Sequence, residues 1–320
     1  MSILKIVVFS FLLSNLGSAR ERHVYNPSPG RRQAIEFNYR YAYENPHPEQ
    51  VPVRIDLSEE HLNSLGEEPF VIASYFELRH NKTWHEQTLP VEMHEGYITF
   101  RLRDLTPENI YWANFKFYKR NAENNEVGDF LFAANEYYGV TSGESDASKA
   151  RHQIVTVALV EAHDWRVGKT SHQNARYNTA FGNGWCGIFQ KFCFNPFSKA
   201  FDYTRGGDEP SQGFRSHSAY IAASFLPAYA AAGPIHGSYG ARGAHKFMIL
   251  GYSLDDGTVF SLDGNFNNSV RISQKTLRQM NSFGLINDEI SVPENLTVFP
   301  AASSRTLEDI EREMQEEKTN

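Results

Sequence analysis

The strand-like pattern of residues 51–140 is the feature that most constrains the fold of this chain. Val53, Ile55 and Leu57 alternate with polar residues, as expected for a strand with one buried face. Further strand candidates follow at short spacing and are separated by polar turn segments: Val71–Leu78, Tyr97–Leu102, Tyr111–Tyr118 and Phe130–Phe132. Several short strands at this spacing predict a small β-sandwich over residues 51–140.

The second half of the chain mixes helix and strand patterns, which predicts an α+β domain over residues 146–300. A polar linker, Thr141–Ser148, leads into a helix with one apolar face between Ile154 and Ala162. Further elements are predicted here: helices at Cys186–Phe192 and Ser216–Ala232, and strands at Lys246–Tyr252, Thr258–Leu262 and Val270–Ile272. Asp255-Asp256-Gly257 joins the first two strands as a hairpin turn. About 300 residues suffice for two domains with cores of their own.

The first nineteen residues have the pattern of a signal peptide. Lys5 precedes an apolar run, Ile6–Leu13, and Gly17 and Ala19 are small residues at a cleavage site. We therefore expect a secreted or periplasmic protein. That run is too short to span a bilayer and no later apolar run approaches the length required, so we expect no transmembrane anchor.

Residues 20–50 are polar and predict a loosely ordered lead-in, and residues 301–320 form an acidic tail. The net charge of −7 argues against a nucleic-acid partner. Three Asn-x-Ser/Thr triplets begin at Asn81, Asn267 and Asn295, and glycosylation there depends on the host.

The chain has two cysteines, Cys186 and Cys193. Seven residues apart on one helix, their Cα atoms lie about 10 Å from each other, which is too far for a disulfide. Both thiols should be free, and catalysis is one reason for a free thiol in an exported protein. No His or Cys spacing typical of a zinc site occurs, so no metal is expected.

Cys186 follows a glycine-containing turn, Gly182-Asn183-Gly184, and begins an apolar helix. A helix start lowers the pKa of a thiol, and a nearby imidazolium lowers it further. His245 begins a strand, and Asp263 and Asn265 end the next one, where either side chain could orient the imidazole. These are the parts of a Cys-His nucleophilic site.

Two ordered motifs carry a resemblance to known proteins. Tyr177 to Phe189, with Trp185-Cys186-Gly187-Ile188-Phe189 at its end, resembles the nucleophile segment of CHAP-type cysteine amidase/peptidase domains, which are papain-like. Ala244 to Tyr252 and Gly257 to Asn265 resemble the His strand and the acid-Gly-Asn strand of that group. Thr99 to Trp112 is similar to the strand-loop-strand signature of fibronectin type III domains.

The resemblance implies a papain-like fold after the β-sandwich and assigns site roles. Cys186 matches the nucleophile, His245 the general base and Asn265 the principal orienting group, with Asp263 assisting where many members have Glu. The implied function is a hydrolase, a thiol protease or amidase that cleaves amide bonds of peptidoglycan or a peptide without a cofactor. The alternatives are an inactive binding module for cell-wall or surface glycopeptide, and a structural protein in which Cys186 is fully buried.

Overall fold

The computed structural model describes residues 35–66, 68–120, 127–170, 185–194, 221–243, 245–267 and 269–285. The helices in these ranges are α1 (Tyr39–Glu44), α2 (Glu59–Leu65), α3 (Asp146–Arg166), α4 (Cys186–Phe194) and α5 (Leu226–Ala232). The strands are β1 (Ile35–Phe37), β2 (Val51–Leu57), β3 (Phe70–Glu77), β4 (His85–Pro90), β5 (Glu92–His94), β6 (Tyr97–Leu102), β7 (Ile110–Arg120), β8 (Val127–Val140), β9 (Ile221–Ala222), β10 (Ser238–Arg242), β11 (His245–Tyr252), β12 (Thr258–Asp263), β13 (Arg271–Thr276) and β14 (Ser282–Gly284).

Several predictions concern residues outside these ranges. They are the signal peptide at 1–19, the start of the lead-in at 20–34, the turn before Cys186 at 177–184, the start of the helix at 216–220, Asn295 and the tail at 301–320.

Two antiparallel four-stranded sheets make up the first part of the chain. Their strand orders are β1-β2-β6-β5 and β4-β3-β7-β8. Aromatic side chains from both sheets meet edge to face between them, with Phe37 5.9 Å and Phe100 4.9 Å from Phe115. Because alternate residues of each strand point inwards, the apolar alternation in the sequence becomes this shared core. Mixed secondary structure with antiparallel sheets, as predicted, is confirmed.

Residues 35–50 differ from the predicted loose lead-in. β1 pairs with β2, and Phe37 and Tyr39 are each only 5% exposed. Tyr39 stacks on Tyr137 of β8 with ring centroids 4.9 Å apart. The prediction of a loose segment over this range is wrong because these aromatic side chains complete the core of the two sheets, which the polar composition of the segment conceals.

The helix α3 is buried along most of its length rather than on one face. Ser145 caps it, since its side chain accepts a hydrogen bond from the Ser148 amide. α3 contacts α1, α4, β8, β12 and β13. α3 buries polar side chains such as Arg151, His152 and Glu161 as well as its apolar face, so the predicted amphipathic pattern underestimates its burial.

A six-stranded antiparallel sheet, in the order β13-β12-β11-β10-β14-β9, completes the fold. The predicted hairpin turn between β11 and β12 lies against the loop after β3, where the Lys82 amide donates to Asp255 and the Asn81 amide side chain donates to Asp256. The predicted helix at Ser216–Ala232 is too long, because β9 occupies Ile221–Ala222 and Pro227 lies in the first turn of α5.

One hydrophobic core includes side chains from the first two sheets, α3, α4 and the six-stranded sheet. The described residues all belong to one compact unit, and the division into two domains stays a prediction. Among the described residues, no helix is both long and apolar enough to cross a membrane.

Candidate active site

The thiol of Cys186 lies at the start of α4. The Phe189 amide donates to the Trp185 carbonyl at 2.9 Å, which closes the first turn and makes Cys186 the first helical residue. Trp185 stacks on Trp165 of α3, with ring centroids 5.6 Å apart, and Phe189 is fully buried. The helix is thus held by its apolar residues, while amides of its first turn have no acceptor inside the helix.

His245 lies beside Asp263 because β11 and β12 are paired. The register places Phe247 opposite Asp263, so the end of β12 reaches the start of β11. His245 Nε2 lies 2.7 Å from Asp263 Oδ1, and the imidazole is 30% exposed whereas the carboxylate is fully buried. The imidazole is therefore held on one side by a carboxylate and remains accessible on the other.

The thiol and the imidazole are hydrogen-bonded and perturb each other. Burial acts to raise the pKa of the Cys186 thiol, but the bond with His245 and the amides of Lys246 and Gly187 outweigh it and lower that pKa below its usual value. The pKa of His245 is raised to about 9, first by the hydrogen bond to Asp263 and then by the bond to Cys186. These opposite shifts favour a thiolate–imidazolium pair.

Asp263 is held by donors on three sides. Its Oδ2 accepts hydrogen bonds from Ser261 Oγ at 2.8 Å, from Lys275 Nζ at 2.7 Å and from Ser273 Oγ. Burial alone would raise the pKa of the carboxyl, but His245 and Lys275 lower it to about 2. Asp263 is therefore ionised and fixed in one orientation at neutral pH.

Asn265 follows β12 in a turn, with φ of 56° and its side chain half-buried. Asparagine tolerates this left-handed conformation better than most residues. The sequence predicts Asn265 as the principal orienting group, yet it is Asp263 that contacts Nε2 of the imidazole. A catalytic role for Asn265 stays a prediction.

Sequence reasoning missed the three side chains behind Asp263, namely Ser261, Ser273 and Lys275. The missed signal was a polar residue at every second position of an otherwise strand-like segment, since Ser261 and Asp263 share one face of β12, and Ser273 and Lys275 share one face of β13. Such a pattern inside a sheet predicts a buried polar network rather than a solvent-exposed face.

Cys193 lies two turns further along α4 and is fully buried. Burial raises the pKa of this thiol well above its usual value, and the nearby Glu161 raises it further. Both cysteines are free thiols. They therefore occupy opposite environments, one that favours a thiolate and one that suppresses it.

Within the described ranges, no group of three His, Cys, Asp or Glu side chains could hold a metal ion. In comparisons with known proteins, neither a protein-family model nor a curated protein matches this chain.

Proposed function

We propose that the chain is an exported cysteine hydrolase that cleaves amide bonds through Cys186, His245 and Asp263. One observation carries the proposal: a thiol at a helix start is hydrogen-bonded to an imidazole whose Nε2 is bonded to a buried, ionised carboxylate. This arrangement generates a nucleophile and an acid at neutral pH and fixes the orientation of the imidazole.

The reaction has two steps. The Cys186 thiolate attacks the amide carbonyl, and amides at the start of α4 stabilise the oxyanion. The His245 imidazolium donates its proton to the leaving nitrogen, the C–N bond breaks and a thioester remains on Cys186. His245 then takes a proton from water, whose oxygen attacks the thioester; the C–S bond breaks, the acid is released and the thiolate–imidazolium pair is restored.

Peptidoglycan is the proposed substrate class because of the CHAP-like motif order. The helix that carries Cys186 precedes the strand of His245, and the acid-Gly-Asn strand comes next, as in papain-like domains of that group. In the first part of the chain, Tyr111 Oη accepts from the Thr106 amide and donates to the Thr106 carbonyl. That bond supports the fibronectin-like proposal, since such a tyrosine corner recurs in sandwich domains. The signal-peptide pattern supports export.

The test is digestion of purified peptidoglycan, with the products identified by mass spectrometry. We expect new amine and carboxyl ends with the full chain and none with Cys186→Ala. Cys193→Ala is the matched control because it removes the buried thiol of the same helix, and it should retain activity. Equal loss of activity in both variants would exclude Cys186 as the specific nucleophile.

The binding-module alternative keeps the fold without turnover, and the sequence Gly240-Ala241-Arg242-Gly243-Ala244 before His245 favours it, since it departs from the Gly-Asp pair usual in the group. Thiol reactivity separates the two functions. An active site should react with iodoacetamide at pH 6 at least tenfold faster than free cysteine, because a thiolate is the reactive species. A binding module should react no faster than free cysteine.

A further inference from the structure

Two arginines flank the His245–Asp263 pair on neighbouring strands. Arg242 ends β10 and lies opposite His245 in the antiparallel register, and Arg271 begins β13 and lies opposite Asp263. Residues directly opposite in antiparallel strands point to the same face of the sheet. Both guanidinium groups therefore belong to the same sheet edge and face as the imidazole.

The aromatic ring of Phe266 brings Arg271 close to the imidazole. The guanidinium carbon of Arg271 lies 3.2 Å from the ring centroid of Phe266, and the same ring meets His245 edge-on at 6.5 Å. The guanidinium is thus separated from the catalytic imidazole by little more than one phenyl ring. The two distances, 3.2 Å and 6.5 Å, keep this separation on the order of one Debye length, which is about 8 Å at physiological salt.

Arg271 also has a donor that is not used. Its Nε is buried and, among the residues that the structure describes, no acceptor lies within hydrogen-bonding distance. A buried donor without a partner is unfavourable, and a guanidinium satisfies its donors best with a carboxylate. The observation points to an anionic ligand at this position.

Within the described ranges, the protein supplies no carboxylate that pairs with the two arginines of the site. Asp263 is already engaged by His245 and Lys275, and no carboxylate forms an ion pair with Arg242 or Arg271 in the described ranges. Their positive charge is local, since the chain as a whole carries −7. A positive edge beside a nucleophile concentrates anionic substrates there.

We propose that Arg242 and Arg271 bind a carboxylate of the substrate next to the scissile amide, so that the site selects acidic peptides. This inference rests on the proposed function, because it assigns the substrate class of the same thiol. Arg271 donates one directed hydrogen bond to this carboxylate through its Nε. Arg242, which is exposed, adds charge at the entrance.

Two alkylating agents of similar size test the proposal without a known substrate. Iodoacetate is anionic and iodoacetamide is neutral, and with each the Cys186 thiolate displaces iodide and forms a thioether. We would measure the ratio of the rate constant with iodoacetate to the rate constant with iodoacetamide. A Cys193→Ala background makes Cys186 the sole thiol. Arg271→Gln and Arg242→Gln should each lower this ratio about two- to threefold, the effect of one charge at such distances in water.

Controls make the result specific. Arg103→Gln removes an exposed arginine that directly follows β6, a strand of a different sheet, and should leave the ratio unchanged. Arg271→Lys keeps the positive charge and should retain most of the ratio. A ratio that falls in Arg271→Gln but not in Arg271→Lys therefore reflects the lost charge rather than a folding defect. Raising NaCl to about 0.5 M should lower the ratio in the parent protein but less in the double arginine variant.

The outcomes distinguish this proposal from the proposed function. If Cys186 reacts rapidly with iodoacetamide but the ratio is the same in the double arginine variant, the anion site is wrong and the nucleophile stands. If Cys186 reacts no faster than free cysteine with iodoacetamide, the hydrolase proposal is wrong, whereas a ratio that falls with each arginine still supports a carboxylate-binding site.

Discussion

Replacing Asp263 by Asn tests the electrostatic basis of the candidate site. The substitution keeps the size of the side chain and removes its charge. The hydrogen bond to Asp263 is the largest cause of the raised pKa of His245, which is about 9 instead of 6.5. We therefore expect the pKa of His245 to fall towards its ordinary value in this variant.

The size of the fall follows from the structure. The full rise is about 2.5 pKa units, and Cys186 supplies part of it. Because the imidazole is partly exposed, solvent screens the interaction, and we expect a fall of about 1–2 units. The thiolate–imidazolium pair depends on this pKa, so alkylation of Cys186 by iodoacetamide at pH 6 should slow by about 10- to 100-fold.

The same substitution leaves the ammonium group of Lys275 without its counterion. The Lys275 side chain is only 9% exposed, and removing one partner of a buried ion pair costs about 3–5 kcal/mol. A second substitution, Lys275→Met, should recover part of this free energy of unfolding, because the uncompensated charge is then removed.

The assay is an NMR titration of His245, together with alkylation rates at pH 6 and circular dichroism as the folding control. Asn265→Ala is the matched comparison, and its effect on the pKa of His245 should be smaller. The reasoning is refuted if His245 in folded Asp263→Asn titrates within half a unit of the parent protein. If Asn265→Ala lowers the pKa more, Asn265 is the main orienting group.

Three further predictions concern coupling, packing and pH. The double variant Cys186→Ala/His245→Ala should be no less active than either single variant, because residues of one catalytic unit are non-additive; a further hundredfold loss would show independent action. Gly264→Ala should destabilise the protein by about 1–3 kcal/mol in urea unfolding, because a Cβ atom there would lie 2.5 Å from Phe189 Cβ on α4, whereas Gly233→Ala, with open space around it, should stay within about 0.5 kcal/mol. Similar losses in both glycine variants would contradict this packing argument. In a Cys186→Ala background, Asp263 alone should keep the pKa of His245 raised, so the stabilisation should be complete below pH 6.5 and be lost as the pH rises through a folded-state pKa that lies below 9, because the contribution of Cys186 is absent; a urea midpoint that varies equally in Cys186→Ala/His245→Ala would assign the loss to other groups.

The sequence predicted elements whose signals are local. The strand at Tyr97–Leu102 has the predicted bounds, and α4 begins at Cys186 as predicted. The turn at Asp255–Gly257 joins β11 and β12 because its residues favour a tight reversal. Alternation, helix starts and turns depend on neighbours within a few residues, so a single sequence contains enough information for them.

Features that depend on distant partners were missed. Lys275 contacts Asp263 only because β12 and β13 pair in one register, which no local pattern specifies. The aromatic side chains of residues 35–50 gain their order from Tyr137, about a hundred residues away. The choice between Asp263 and Asn265 also depends on backbone geometry, since Asn265 lies past the end of β12 with φ of 56°, where strand alternation no longer fixes the direction of a side chain.

The site can be understood as a row of alternating charges, in which Cys186 is 7% exposed, the His245 side chain is 30% exposed and the Asp263 side chain is fully buried. The Cys186 thiolate is followed by the His245 imidazolium, the Asp263 carboxylate and the Lys275 ammonium, and each interior charge has opposite charges as neighbours. The last cation also lies 4.9 Å above the ring of Phe247, which stabilises a charge that has little water around it. This alternation allows a carboxylate with no solvent exposure to stay ionised, because Lys275 offsets the cost of burying it. An ionised Asp263 in turn holds the imidazolium, which lowers the pKa of the thiol, so the reactivity at the start of α4 depends on a lysine three positions along the row.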